Sequence, residues 1–302
     1  MSADRSEGPL AGVPAEPGVA KPNAILVADG VTRRFGGLTA VEVDHLEVQR
    51  GVITALIGPN GAGKTTFFNL VTAFDHPDTG QFVFDGRPLG RLAAHKVARR
   101  GMVRTFQLTK ALSRLTVLDN MKLGATGQRG ERFLAALFPP LWREEDREIE
   151  ERARELLARF KLDKMVDEFA GTLSGGQRKL LEMARALMVQ PKMVLLDEPM
   201  AGVNPVLTQS LLTHVRDLRN LGMTVLFVEH DMDVVYDISD WVVVMAEGRV
   251  IAEGPPRVIG ANPAVIDAYL GAHHDAPTTE AEEQRRLDDA EAVAARQAEE
   301  GR

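Results

Sequence analysis

Three short and mostly apolar runs have the length of buried β-strands. They span Val52 to Ile57, Met193 to Leu196 and Met223 to Val228. Continuous apolar runs of this length are typical of parallel strands covered by helices on both faces. Because helical patterns follow the first and third runs, we predict an α/β fold.

An amphipathic run precedes the second of these strands and ends at Gln190 and Pro191. Its apolar positions recur at helical spacing, at Leu180, Leu181, Ala184, Leu187 and Met188. The run begins with Leu-Ser-Gly-Gly-Gln, in which Ser174 and Gln177 match the S-x-x-Q capping box. One explanation of this start is therefore an ordinary helix N-cap.

Two glycines at the same helix start favour a second explanation. Gly175 and Gly176 each cost roughly 1 kcal/mol relative to alanine within a helix, and a cap alone gains nothing from them. Glycines at a helix N-terminus let an anion approach the backbone N–H groups. We therefore predict a phosphate site that includes Ser174, Gly176 and Gln177.

A second glycine-rich segment lies between the first apolar run and the helical residues Phe67 to Val71. It has the spacing G-x-x-x-x-G-K-[ST], in which successive backbone N–H groups converge on phosphate oxygens. We expect Lys64 to reach the β- and γ-phosphates of a nucleotide and the Thr65 hydroxyl to hold Mg²⁺. The expected nucleotide-contacting residues here are Gly58, Asn60, Gly61, Gly63, Lys64, Thr65 and Thr66.

Two adjacent acids follow the apolar run Met193 to Leu196. A strand buried on both faces would deliver Asp197 and Glu198 to its carboxyl end, beside the phosphate loop. There Asp197 would complete the Mg²⁺ shell, and Glu198 would act as general base on the attacking water. The alternative is a charged strand end that only meets solvent.

Leu-Ser-Gly-Gly-Gln between a phosphate loop and a strand that ends in Asp-Glu resembles the ATP-binding subunit of an ABC transporter. The resemblance spans roughly Ala24 to Gly271. It implies a P-loop NTPase of ABC type, with a mixed sheet core and an inserted α-helical subdomain at about 108–189. It also implies a head-to-tail pair of subunits, in which Ser174 of one copy completes the ATP site of the other. This arrangement accounts for two phosphate sites in one chain.

The same resemblance implies roles for three further residues. His230 corresponds to the switch histidine at the γ-phosphate, and Gln107 to the glutamine that senses Mg²⁺ and the attacking water. Phe35 corresponds to the aromatic residue that stacks on adenine, although an aromatic at a strand end equally suits a core. Asn204 stands where many family members have aspartate, so the contact between subunits at that position loses a charge.

Composition and charge limit the location of the protein and its partners. The chain has 302 residues, a formal net charge of −7 and no cysteine, which excludes disulfides and thiol redox chemistry. No apolar run approaches the roughly 18 residues of a membrane span, so we expect any membrane role to require a partner. An acidic chain without an evident basic stripe argues against nucleic acid as a partner.

The two ends of the chain have little apolar sequence. Residues 1–23 contain four prolines among small residues, and we predict that they are disordered. Residues 272–302 form a charged tail with few large apolar side chains. We expect neither end to contribute to the fold.

Several segments resemble the branched-chain amino acid uptake group within ABC transporters, including Arg104 to Gln107, Val117 to Asn120 and Val265 to Gly271. This resemblance implies an ATPase that is peripheral to the cytoplasmic face of the cell membrane. Its partners would be membrane permease subunits, a second ATP-binding subunit in a homodimer or heterodimer and, indirectly, a substrate-binding protein. Urea or amide importers, lipid-moving systems and, with less support, non-transport ABC ATPases stay open as alternatives.

Overall fold

The computed structural model describes residues 8–105, 112–125, 143–203 and 205–274. The strands are β1 (Ala24–Phe35), β2 (Leu38–Gln49), β3 (Ile53–Ile57), β4 (Thr79–Phe84), β5 (Arg87–Pro88), β6 (Met102–Arg104), β7 (Met193–Asp197), β8 (Thr224–Val228), β9 (Trp241–Ala246) and β10 (Arg249–Gly254). The helices are α1 (Lys64–Val71), α2 (Ala94–Arg99), α3 (Val117–Lys122), α4 (Arg143–Arg159), α5 (Gly175–Ala186), α6 (Pro205–Asn220), α7 (Met232–Ile238), α8 (Pro256–Ile259) and α9 (Pro263–His274).

The main sheet is mixed and has six strands in the order β10-β9-β3-β8-β7-β6. All its pairs are parallel except that of β10 with β9. The three apolar runs form β3, β7 and β8, and every residue of these strands is buried. Because neighbouring parallel strands end at one edge of the sheet, this arrangement brings the segments after β3, β7 and β8 together.

A second, antiparallel sheet packs over the first, with the strand order β2-β1-β4-β5. Helix α1 lies within the same apolar core as this sheet, and its Phe67 and Phe68 are completely buried. The Phe67 ring meets the Phe82 ring of β4 edge to face, with centroids 5.8 Å apart. The helix that follows the phosphate loop is therefore fixed by packing on the apolar side chains around it.

The described residues between β6 and β7 form helices α3, α4 and α5, with short 3-10 turns between α4 and α5 and directly after α5. Helix α4 is highly charged, yet Ile149, Ala153 and Leu157 along one face are buried. They belong to the same core cluster as Leu180 and Leu181 of α5. This packing holds the helix that begins with the Ser-Gly-Gly sequence.

The N-terminal segment differs from the prediction of disorder over residues 1–23. Leu10, Val13 and Val19 pack against the core that surrounds α1. The Lys21 ammonium forms a buried ion pair with Glu253 of β10, at 2.7 Å from Nζ to Oε2. The prediction is therefore wrong for 10–21, because a partner 232 positions away satisfies the lysine.

Within the part of the chain that the structure describes, no helix is long and apolar enough to cross a bilayer. Helix α9 continues three residues beyond the predicted domain end at Gly271. The tail from 275 onward lies outside the described residues.

Candidate functional site

The phosphate loop connects β3 to α1, as predicted, and two of its glycines are required by close backbone contacts. A Cβ on Gly58, which has φ 147°, would lie 2.0 Å from the carbonyl oxygen of Met245. A Cβ on Gly63, which has φ 95°, would lie 2.3 Å from the carbonyl oxygen of Ala40. Any side chain at these positions would displace the neighbouring strands and distort the loop.

The remaining loop residues leave a surface that an anion can approach. Asn60, Gly61 and Thr65 are exposed, while Lys64 and Thr66 are partly buried. The Lys64 ammonium donates hydrogen bonds to the carbonyl oxygens of Gly58, at 2.6 Å, and Pro59, at 2.8 Å. Burial lowers the pKa of Lys64, and the nearby Glu198 carboxylate opposes this shift. Lys64, predicted to contact the β- and γ-phosphates, and Glu198, predicted to act on the attacking water, are thus close enough to interact.

The two acids lie at the carboxyl end of β7, in the region that the phosphate loop also reaches. Asp197 is buried, and its Oδ2 accepts a hydrogen bond from Nη2 of Arg104 at 2.6 Å. The Glu198 backbone N–H donates a hydrogen bond to the carbonyl oxygen of Val228 at 3.1 Å. Glu198 itself has a positive φ of 45°. A left-handed conformation at a non-glycine residue costs free energy and is found preferentially at functional sites.

Arg104 also lies in this site, although no sequence pattern predicts a role for it. Besides its ion pair with Asp197, its Nη1 donates to Oδ1 of Asn69 at 2.6 Å, and its guanidinium lies over the Phe68 ring. Its position three residues before Gln107 is the only sequence signal for it. Gln107 itself lies outside the described residues.

The residues after β8 bring a histidine and a buried acid to the same edge of the sheet. The His230 side chain is 70% exposed, and its Nδ1 lies 3.8 Å from Oε2 of Glu229. Oε1 of the buried Glu229 accepts a hydrogen bond from the Met200 backbone N–H at 2.9 Å. Burial raises the pKa of Glu229, and this hydrogen bond counteracts the shift. Glu229, also without a predicted role, thus holds the loop that follows Glu198.

Phe35 ends β1 on the surface, and half of its area is exposed. The Arg33 guanidinium lies over its ring, 4.7 Å from the centroid. An exposed ring leaves a face on which a base can stack. Stacking on adenine stays a prediction.

The sequence allows two explanations for the start of α5, a helix N-cap and a phosphate site, and the structure bears on both. Ser174 is the N-cap, and the capping box is complete: the Gln177 N–H donates to the Ser174 hydroxyl, and the Ser174 N–H donates to the Gln177 side chain. Gly175 is exposed, and nothing lies within 4 Å of a Cβ built on it. A Cβ on Gly176 would lie 1.5 Å from Cδ2 of Leu207. Gly176 therefore packs directly on the Leu207 side chain of α6, whereas open space next to Gly175 leaves room for an anion.

Taken together, the phosphate loop, its lysine and the acid pair at the end of β7 define a P-loop nucleotide-binding protein. The family model described as ABC transporter matches residues 41–201, and a second, described as branched-chain amino acid ATP-binding cassette transporter, matches residues 249–275. The chain belongs to the ABC transporter family, as its ATP-binding ATPase component. The predicted family and fold class are thereby confirmed.

Curated relatives cover most of the chain. It is 44% identical over 248 residues to a probable branched-chain amino acid transport ATP-binding protein LivG of Archaeoglobus fulgidus, a match that covers 82% of this chain and 96% of the relative. It is 43% identical to the high-affinity branched-chain amino acid transport ATP-binding protein BraF of Pseudomonas aeruginosa, with 82% and 98% covered.

Solved structures show the same fold. A nucleotide-free ATP-binding cassette from an ABC transporter aligns with a TM-score of 0.71 at 37% identity, covering 82% of this chain and 98% of that one. The ADP conformation of an ATP-binding cassette of an ABC transporter aligns with a TM-score of 0.70 at 36% identity, covering 82% and 99%.

Proposed function

We propose that this chain is the ATP-hydrolysing subunit of an importer for branched-chain or other hydrophobic amino acids. The observation that carries the proposal is the match of residues 249–275 to the branched-chain amino acid cassette family. The names of the most similar relatives support the same substrate class. Its partners would be permease subunits in the membrane, a second ATP-binding subunit and, through the permease, a substrate-binding protein. The chain would act at the cytoplasmic face of the membrane.

The residues fit Mg²⁺-dependent phosphate chemistry. A buried carboxylate at Asp197 and an exposed hydroxyl at Thr65 are oxygen ligands of the kind that Mg²⁺ prefers. They would hold the ion together with Gln107. When bound, Mg²⁺ neutralises charge on the β- and γ-phosphate oxygens.

Three side chains of this chain have separate roles in binding the phosphates and activating the water. Lys64 exchanges the carbonyl oxygens of Gly58 and Pro59 for phosphate oxygens, so that its charge is placed on the β- and γ-phosphates. Glu198 takes a proton from the attacking water as general base. His230, exposed at the end of β8, donates a hydrogen bond to the γ-phosphate.

The site is completed by a second subunit. Ser174 and Gly175 are exposed at the start of α5, and they would contact the γ-phosphate held by the loop of the partner subunit. ATP bound between the copies closes the dimer, closure switches the access of the permease, and hydrolysis reopens it.

Dimerisation tests this composite site. With Mg-ATP, light scattering of full-length Glu198→Gln is expected to report a dimer, because slow turnover traps the closed state. Adding Ser174→Arg should leave a monomer that still binds labelled nucleotide, because bulk and charge now lie where the γ-phosphate of the partner must fit. Ser113→Arg, at an exposed serine of the same helical region, is the matched control. A double mutant that dimerises as well as this control would contradict the composite site.

Substrate class requires the assembled complex. The chain is co-purified with its permease subunits in lipid, and hydrolysis is measured with candidate solutes and the binding protein. Leucine, isoleucine or valine is expected to stimulate turnover. Stimulation by urea, short amides or lipid instead would overturn the substrate class while leaving the ATPase assignment intact.

A further inference from the structure

Lys179 connects the helix that carries Ser174 to the loop that follows Glu198. Its Nζ donates to the carbonyl oxygen of Pro199 at 3.0 Å and to that of Ala201 through a very short contact. The side chain is partly buried, so these carbonyl groups replace much of the water around the ammonium. A single lysine of α5 therefore fixes two backbone positions within three residues of the proposed general base.

A second contact joins the same two regions. Gly176, one turn before Lys179 on α5, packs so closely on Leu207 that a Cβ there would overlap the leucine side chain. Leu207 belongs to α6, the helix that begins directly after the loop. Helix α5 thus contacts the loop through Lys179 and the element after it through Gly176.

Opposite charges hold the loop from two sides. Glu229, at the end of β8, accepts a hydrogen bond from the Met200 N–H, between the two carbonyl groups that Lys179 holds. The Glu229 carboxylate also interacts electrostatically with the Lys179 ammonium. The loop is therefore held between the helical region and the main sheet, and it is linked to α5 by charge-assisted hydrogen bonds.

We propose that Lys179 is a positioning residue that transmits contact at Ser174 to the Glu198 of the same chain. The inference rests on the proposed composite site, in which the ATP of the partner subunit meets Ser174. When that ATP draws in the start of α5, Lys179 moves the loop and sets the orientation of Glu198 at the other ATP. The two active sites of a dimer are thereby coupled through this lysine.

Two substitutions at Lys179 separate coupling from folding. Lys179→Met keeps the apolar stem but removes the donors, and Lys179→Arg keeps both charge and donors. Lys164→Met, at an exposed lysine of the same helical region, is the control. For each full-length variant, labelled-nucleotide binding, kcat, KM, the Hill coefficient for ATP and the melting temperature are measured.

We expect Lys179→Met to bind nucleotide within about twofold of the unmutated chain. Its kcat should fall about tenfold, which is within the roughly 100-fold that misplacing a catalytic group can cost, and its Hill coefficient should approach one. Lys179→Arg should recover most of both, and Lys164→Met should change neither. If the methionine variant is unfolded at the assay temperature, Lys179→Gln, which keeps one neutral donor, should give an intermediate result.

Three results would overturn the proposal. They are an unchanged kcat and Hill coefficient in a folded Lys179→Met, a parallel loss of nucleotide binding, or an equal effect of Lys164→Met. The dimerisation assay with Ser174→Arg keeps this failure distinct from that of the composite site. If Ser174→Arg blocks dimerisation while Lys179→Met turns over normally, only the coupling is wrong.

Discussion

Lys21 and Glu253 form an ion pair in which the two side chains are 1% and 0% exposed. Oε2 of Glu253 also accepts a hydrogen bond from the Trp241 indole, and Oε1 accepts one from the Val19 backbone N–H. The Lys21 ammonium lies 4.6 Å from the centroid of the Trp241 ring. This network attaches the N-terminal segment to β10, at the edge of the main sheet. Both charges are buried away from water, so each is stabilised mainly by the other.

We therefore expect Lys21→Met to be strongly destabilising. Removing one partner leaves the Glu253 carboxylate buried without its cation, which costs about 3–5 kcal/mol in comparable pairs. Urea unfolding measures the change in the free energy of unfolding. Arg249→Met is the control, because the Arg249 pair with Glu42 is exposed and its loss should change stability little. Equal effects of the two substitutions would show that the N-terminal segment does not dock on the fold.

The sequence predicted the parts of the site that depend on local patterns. The strand before Asp197, the phosphate loop and the cap at Ser174 are each specified within a dozen residues. Contacts between distant segments had no such signal. Lys179 appears as one of several charges on a helix, and Glu229 as a charge at a strand end. Their roles arise only when the fold places both against Met200 and its neighbours.

The two glycines at the start of α5 also show that a local sequence pattern does not reveal contacts between distant segments. The sequence assigned Gly175 and Gly176 a common role at an anion, because both lower helix propensity. The structure separates them, since only Gly176 is in close contact with Leu207. Packing on Leu207, 31 positions along the chain, is not visible in a local pattern.

Substitutions at Lys64 and Glu198 should affect different steps, Mg-ATP binding in the first case and turnover in the second. Lys64→Ala is expected to weaken Mg-ATP binding and nearly abolish hydrolysis, because it removes the cation from the β- and γ-phosphates. Glu198→Gln should retain binding but lower kcat by about 10²–10⁴-fold, the usual contribution of a general base. Phosphate release at saturating Mg-ATP, with binding measured separately, distinguishes the two. Turnover of Glu198→Gln at the rate of the unmutated chain would exclude the general-base role.

Acid stability should depend on His214, which lies buried in α6 against the Phe160 ring, with centroids 4.4 Å apart. Neither ring nitrogen has a hydrogen-bond partner among the described residues, and Asp217 lies 3.9 Å from Nδ1. Burial lowers the pKa of His214; the Asp217 carboxylate opposes this shift, and Lys161 adds to it. The folded chain therefore keeps this histidine neutral at pH values where the unfolded chain protonates it.

Because the unfolded state then binds more protons, stability should fall as the pH drops below about 6.5, the ordinary pKa of histidine. A single such group changes the free energy of unfolding by at most about 1.4 kcal/mol per pH unit. His214→Phe should flatten the pH dependence of the free energy of unfolding between about pH 5 and 7. The control is His95→Gln, at a histidine that is exposed in the structure, and it should leave this slope unchanged. The same slope in all three proteins would contradict a buried neutral His214.

Gly175→Ala and Gly176→Ala should separate anion binding from packing at the start of α5. Alanine at Gly175 meets no neighbour and gains about 1 kcal/mol of helix propensity, so the monomer should become more stable. Alanine at Gly176 must displace the Leu207 side chain, and this repacking should offset part or all of the same gain. Urea unfolding should therefore show Gly175→Ala to be the more stable of the two variants.

The two variants should also differ in dimerisation. In the Glu198→Gln background, Gly175→Ala is expected to weaken the dimer formed with Mg-ATP, because its methyl group narrows the approach of the γ-phosphate to the backbone N–H groups. That loss would occur in the more stable of the two proteins, so instability cannot cause it. A Gly175→Ala protein that is more stable and dimerises at unchanged ATP concentration would remove the start of α5 from the nucleotide site and leave the capping box as its only role.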